Sequence, residues 1–171
     1  MTAPLRTRLL RLAAGFIVAA AIAAAAAPAP LRAQQADPRE AAVIAVFQKL
    51  FDGMRTRDTT MMRDVFDPGA KLVRATTRDG RTNVQATSID QFIASIGRAP
   101  AGDQLIERIY APEVRIDGNL ATIWTFYTFH VGDRFSHCGI DAAQLLQTDQ
   151  GWKIVHLADT TRRENCDPPG G

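Results

Sequence analysis

Leu120-Ala-Thr-Ile-Trp-Thr-Phe-Tyr-Thr-Phe-His-Val131, then Gly132-Asp133, then Arg134-Phe-Ser-His-Cys-Gly-Ile-Asp141 is the stretch on which the fold depends. β-Branched and aromatic residues dominate both arms, and the Gly-Asp pair between them suits the positive backbone angles of a tight hairpin. A two-residue turn sets Tyr127 opposite Cys138, Thr125 opposite Ile140, Trp124 opposite Asp141 and Phe126 opposite Gly139, where a bulky ring needs room. Alternation then sorts the side chains. One face carries Ile123, Thr125, Tyr127, Phe129, Cys138 and Ile140 and reads as core. The other carries Trp124, Phe126, Thr128, His130, Phe135, His137 and Asp141 and reads as amphipathic and aromatic.

The same period of two extends outward on both sides. Leu105 to Ile116 and Trp152 to Thr161 flank the hairpin, separated from it by Asp117-Gly118-Asn119 and Asp149-Gln150-Gly151, so four antiparallel strands form a meander. Pro112 removes a ladder donor and marks a bulge or an edge. Upstream the period lengthens. Asp37-Pro38-Arg39-Glu40 reads as a helix start, and Val43, Phe47, Leu50, Phe51 and Met54 recur at spacings of three and four as one apolar stripe. Asp58 caps a shorter second helix that ends at Asp67-Pro68-Gly69. Lys71 to Ala75 and Thr82 to Thr87 flank an Asp79-Gly80 hairpin turn, and Ser88-Ile89-Asp90-Gln91 is a capping box for a third short helix. Three helices with an early hairpin, followed by a meander, make one α+β domain.

The chain has 171 residues with 20 Lys+Arg against 18 Asp+Glu, but residues 1–33 hold Arg6, Arg8, Arg11 and Arg32 and no acid. The remainder therefore carries 16 basic and 18 acidic side chains. Without a clustered cationic surface, nucleic acid is not an expected partner. Three arginines, an apolar run from Leu12 to Ala27 and a small residue at Ala33 are the parts of a secretory signal peptide, cleaved after Ala33. The run of 16 residues, mostly alanine, is short of the about 20 strongly apolar ones a membrane span needs. The expected organisation is a signal peptide over 1–33, a domain over 34–166 and a flexible tail over 167–171, in a secreted or periplasmic protein with no membrane attachment after cleavage. In that oxidising setting Cys138 and Cys166 are read as a disulfide. Two isolated cysteines and three scattered histidines lack metal-site spacing, and no cofactor motif stands out.

Two apolar faces on one strand call for cover on both sides, and three helices cover one. The second face is read as meeting another copy of the chain in a homodimer; the alternative is a twisted sheet whose aromatics are shielded by the C-terminal tail.

Phe66-Asp67-Pro68-Gly69-Ala70 leading to Leu72-Val73, the run Ala121 to Phe129, Phe135 to Asp141, Gly151-Trp-Lys-Ile-Val155 and Asp159-Thr-Thr-Arg-Arg163 resemble the nuclear-transport-factor-2-like superfamily over nearly all of Asp37 to Cys166. The last four segments are most similar to its SnoaL-like, lumazine-binding-like exported branch. The resemblance implies a cystatin-like cone, a curved antiparallel sheet packed on about three helices around a pocket. It implies little about chemistry, because this scaffold hosts enzymes, binders and assembly modules.

Phe47, Phe51, Phe66, Phe92, Tyr127 and Phe129 would line such a pocket, with His137, Asp141 and His156 as its polar candidates. Tyr127 offers a phenol for oxyanion stabilisation or is a core tyrosine bonded to a backbone carbonyl. His156 follows Trp152 and Ile154 at period two and joins their face. Asp159 with Arg162-Arg163 reads as an anion clamp or as an ion pair holding the tail. No coherent acid–base set emerges. The expected function is binding of a small apolar or aromatic ligand without turnover; the alternatives are a lyase or isomerase of the ketosteroid-isomerase or dehydratase type, and a pure dimerisation module.

Overall fold

A computed structural model describes residues 37–100 and 102–170. The signal peptide expected at 1–33 lies outside the described residues. The elements run α1 (Pro38–Thr56), α2 (Thr59–Asp64), β1 (Phe66–Arg78), β2 (Arg81–Ser88), α3 (Ile89–Gly97), β3 (Leu105–Asp117), β4 (Leu120–Val131), β5 (Arg134–Thr148) and β6 (Gly151–Thr161).

Local chemistry starts each helix. The Asp37 carboxylate accepts from the Arg39 amide with Pro38 at the first helical position, and the Arg39 side chain, rather than Glu40, reaches back to the cap. Asp58 caps α2 through the Thr60 and Met61 amides, and the Ser88–Gln91 capping box opens α3. Val43, Phe47, Leu50, Phe51 and Met54 are all buried, so the apolar stripe of α1 is its packed face. Asp79 and Gly80 both adopt positive φ, 51° and 72°, as a tight hairpin turn requires.

The strands form one curved open sheet in the order β2-β1-β6-β5-β4-β3. The meander from β3 to β6 is antiparallel, as read from the turns, but β1 joins β6 in parallel, with Leu72 opposite Leu157 and Arg74 opposite Asp159, so the whole sheet is mixed. The long connection through β2, α3 and the meander brings β6 back beside β1 in the same direction. Helix α1 packs on β3, β4 and β6, and α3 packs on β1 and β2, all on one face. Phe47, Leu50, Met62, Ile123, Leu145 and Ile154 form the centre of the core there. At the edge strand β3, Ala111 takes φ 46° and the pairing with β4 shifts between Tyr110 and Glu113, so Pro112 marks both a bulge and an edge.

Two further bulges correct the expected side-chain alternation. On β5, His130 pairs with Phe135 but Phe129 pairs with His137, which leaves Ser136 as an extra residue. Every position beyond it shifts by one. Tyr127 faces Gly139 and Thr125 faces Asp141, so His137, Gly139 and Asp141 belong to the helix-covered face, and Cys138 and Ile140 to the outer one. On β6, Gln144 pairs with His156 and Leu145 with Ile154, leaving Val155 as the extra residue. That bulge sends His156 to the outer face, away from Trp152 and Ile154.

The disulfide between Cys138 and Cys166 is present and fastens the C-terminal segment across the outer face. Arg162 lies over the Phe126 ring, 5.4 Å from its centroid. Phe126 is thereby 6% exposed, but Trp124, on the same face and further from the tail, is 55% exposed. The tail therefore shields one end of the outer aromatic row and leaves the other open.

Candidate functional site

Between α1, α3 and the inner face of the sheet lies a cavity of about 410 Å³, inside the roughly 300–1,000 Å³ typical of small-molecule sites. Its helix side is mainly apolar, with Leu50, Phe51 and Met54 from α1 and Phe92 and Ile96 from α3, and carries only the uncharged polar groups of Gln91 and Ser95. Its charged groups all come from the sheet, where Arg74 of β1, Glu107 of β3, His137 and Asp141 of β5 and Asp159 of β6 stand among Leu72, Phe129 and Leu157. The face swap at Ser136 is what turns His137 and Asp141 into it.

Arg74 and Asp159 sit side by side on adjacent strands, and the guanidinium donates to the carboxylate through Nε at 2.7 Å and Nη2 at 2.6 Å. Glu107 and Asp141 have no such cation. Both line the cavity, and each carboxyl acts on the other's titration. Asp141 is 4% exposed and its Oδ2 has no donor among the described residues. Burial raises both carboxyls, the negative charge of Asp159 pushes in the same direction, and the positive charge of Arg74 opposes them without reversing the shift. Two raised carboxyls acting on each other resist double ionisation, which favours a form that keeps one proton on the pair.

His137 stacks on Phe129 with ring centroids 4.9 Å apart and meets the Tyr127 ring edge-on at 5.7 Å. Its Nδ1 lies 3.0 Å from the Ser136 hydroxyl. Burial, reinforced by the positive charges of Arg74 and Arg163, holds the imidazole down at about 4, so it is neutral at pH 7.

The other predicted residues fall into separate places. Phe51, Phe92 and Phe129 line the cavity. Phe47 and Phe66 stand behind it, edge-on to Phe51 and Phe92 respectively. Tyr127 is 1% exposed, and its hydroxyl donates to the Thr160 carbonyl at 2.9 Å. It is the backbone-bonded core tyrosine of the two readings, and its burial raises the phenol further from ionisation. His156 lines an outer groove with Trp124 and Glu113. Asp159 bonds Arg74 rather than the tail arginines, which corrects both readings of the Asp159–Arg162–Arg163 cluster.

Arg74 and Glu107 escaped the sequence reading, although a signal existed. Glu107 lies at period two between Leu105 and Ile109, and a carboxyl on an apolar stripe needs a partner or a purpose. Arg74 stands in the same relation to Leu72. A shallower depression of about 720 Å³ lies where α1 meets the β5–β6 turn. Its one acid, Asp64, is shared by Lys49 and, at 3.1 Å, Lys153, and Arg39 pairs with Asp37 beside it. Among the described residues, no group of three or more His, Cys, Asp or Glu side chains is placed to hold a metal ion.

The fold recurs widely. A protein of unknown function from Mycobacterium tuberculosis superposes with a TM-score of 0.61 at 13% identity, over 78% of each chain. An NTF2-like protein of unknown function from Shewanella baltica gives 0.56 at 17% identity, over 74% of this chain and 96% of its own. A protein from Streptomyces avermitilis, described as a putative dehydratase of the NTF2-like family, gives 0.54 at 13% identity, over 74% and 99%. At these identities the likeness is one of fold. No curated protein matches the chain. The sequence model of the family described as "Putative lumazine-binding" matches residues 38–158, a span that takes in β1 to β5, most of β6 and every cavity-lining residue but Asp159, and the chain belongs to that family.

Proposed function

We propose that this chain is an exported protein that binds a small, largely apolar or aromatic molecule between α1, α3 and the inner sheet face, without turning it over. The observation that carries the reading is the cavity itself. An aromatic and aliphatic wall faces a few convergent polar groups, one of them a buried carboxyl oxygen without a donor. The family description supports a ligand of this kind. Neither Trp124 nor Trp152 lines the cavity, so binding is best followed by amide resonances. Titrating isotope-labelled mature protein with lumazine, a flavin and a steroid-like compound is expected to shift the amides of Phe92, Phe129 and His137. No shift with any of them sinks the reading.

Export is supported by the leader composition and by the disulfide, which suits an oxidising compartment. Among the described residues no helix is long and apolar enough to cross a membrane. A homodimer is supported by Trp124 at 55% and Leu146 at 43% exposure on the outer face; sedimentation at two protein concentrations tests it.

A second reading, a lyase or isomerase, is favoured by one observation: two buried carboxyls held toward their neutral form line the same cavity as a neutral imidazole, groups suited to moving a proton on a bound molecule. It differs from the first in requiring Asp141 for turnover, so a product formed by the wild type and not by Asp141→Asn would replace binding with catalysis.

A further inference from the structure

The charges that face this cavity do not balance. The helices contribute none, β2 contributes Gln85 and Thr87, and β4 contributes Phe129. Arg74 of β1 is committed to Asp159 of β6. His137 of β5 is neutral, and Arg163 acts on it from outside the lining. Glu107 of β3 and Asp141 of β5 share this lining without an ion pair of their own among the described residues, reached only by the charge of Arg74, and Asp141 Oδ2 is buried without a hydrogen-bond partner.

We propose that the ligand is an apolar or aromatic molecule bearing one protonated amine, and that Glu107 and Asp141 receive its ammonium group. The inference rests on the ligand-binding reading and deepens it. An ammonium brings three N–H donors, enough for Asp141 Oδ2 and a Glu107 oxygen together. It also replaces the proton that the two carboxyls otherwise share: one proton leaves the pair as one cation arrives, and the local charge is unchanged. The rings of Phe129 and Phe92 stand in the same lining, where aromatic faces attract a cation and an apolar body packs equally well. A carboxylate-bearing ligand meets an uncompensated negative site. A neutral one leaves the shared proton in place and gains no charge-assisted bond.

Three probes share one ring system and differ in charge: tryptamine, tryptophol and indole-3-acetate. Calorimetric titration of the mature, disulfide-bonded protein, in two buffers of different ionisation enthalpy, reads affinity and proton release together. Tryptamine is expected to bind about tenfold more tightly than tryptophol near pH 8, as a charge-assisted bond to a buried carboxylate implies, and indole-3-acetate weakest. Proton release should accompany tryptamine alone, and its advantage should narrow near pH 6. Asp141→Asn should reduce the ratio of tryptamine to tryptophol affinity to under about threefold; if that variant does not fold, Glu107→Gln makes the same comparison. Equal affinities for tryptamine and tryptophol, or binding of lumazine without binding of tryptamine, overturn the ammonium assignment and leave the ligand-binding reading standing. No binding by any probe or by lumazine overturns both.

Discussion

His137 lies opposite Phe129 across β4 and β5, its imidazole stacked on the phenyl ring with centroids 4.9 Å apart, while the next pair along the ladder joins His130 to Phe135. Ser136 is the residue left over. Because the register is regular on both sides of it, deleting Ser136 straightens the strand without moving His137 or Asp141 to another face. The deletion is expected to cost on the order of 1–2 kcal/mol and to leave a folded protein. Deleting Gly139 instead turns Asp141 out of the cavity and breaks the register at Cys138, and no cooperative melt is expected. Thermal melts of the two deletion variants check the contrast.

Gly139 faces Tyr127 at the point where the chain passes closest to β6. A Cβ there would lie 1.8 Å from the Thr160 carbonyl oxygen and 2.8 Å from the Tyr127 ring. That same carbonyl accepts the Tyr127 hydroxyl, so no neighbour can retreat without breaking a buried hydrogen bond. Gly139→Ala is expected to destabilise by about 3 kcal/mol or more. Gly102→Ala, with nothing within 4 Å, should lie within about 0.5 kcal/mol of wild type in denaturant unfolding.

The pH dependence of stability has two opposing sources. Glu107 and Asp141 are raised by burial, so the folded pair keeps a proton that the unfolded chain releases above about pH 4. Its contribution is full at low pH and is lost as pH rises through the raised titration. His137 has the other sign. It is held at about 4 in the folded protein against about 6.5 unfolded, so its contribution is present above about pH 6.5 and is lost as pH falls toward 4. Between about pH 4 and 6.5 the two slopes oppose each other, so melting temperature should change little there and should fall above about pH 6.5, where only the loss from the carboxyls remains. Asp141→Asn should flatten that alkaline fall and His137→Gln should extend it down toward pH 4; an unchanged alkaline limb in Asp141→Asn contradicts the assignment.

Cys138 is fully buried, and its bond to Cys166 closes a 28-residue separation. On the chain-entropy account, losing that link costs roughly 3.6 kcal/mol. Cys166→Ser removes the constraint with little loss of packing, since Cys166 lies outside the core, and should lower the unfolding midpoint accordingly. A mature mass two units lower before reduction than after reports the intact bond.

Trp124 tests the proposed dimer. With more than half its surface open and no neighbour from the tail, Trp124→Glu should cost under about 1 kcal/mol in the isolated subunit. In a dimer formed through this face it buries a charge and should shift sedimentation to the monomer. A variant that sediments as the wild type does places the interface elsewhere.

Much of this protein is local and was therefore legible in its residues. Asp37, Asp58 and Ser88 start helices because their side chains reach their own neighbours' amides, Asp79-Gly80 turns because both residues tolerate positive φ, and the stripe from Val43 to Met54 buries itself because its spacing is helical. The pairing of Cys138 with Cys166 needed only the count and the compartment. What only the tertiary structure decided is which way β5 and β6 point. One extra residue at Ser136 and one at Val155 invert every side chain beyond them, a cooperative outcome of how two strands fit and not a property of either segment. The parallel closure of β1 on β6 then sets Arg74 against Asp159 across more than eighty residues of chain. The site is composed of residues that meet only after those long-range fits are made: a charge on an apolar stripe marks Arg74 and Glu107 one at a time, but the sheet order alone sets Arg74 against Asp159 and brings Glu107 into the same cavity.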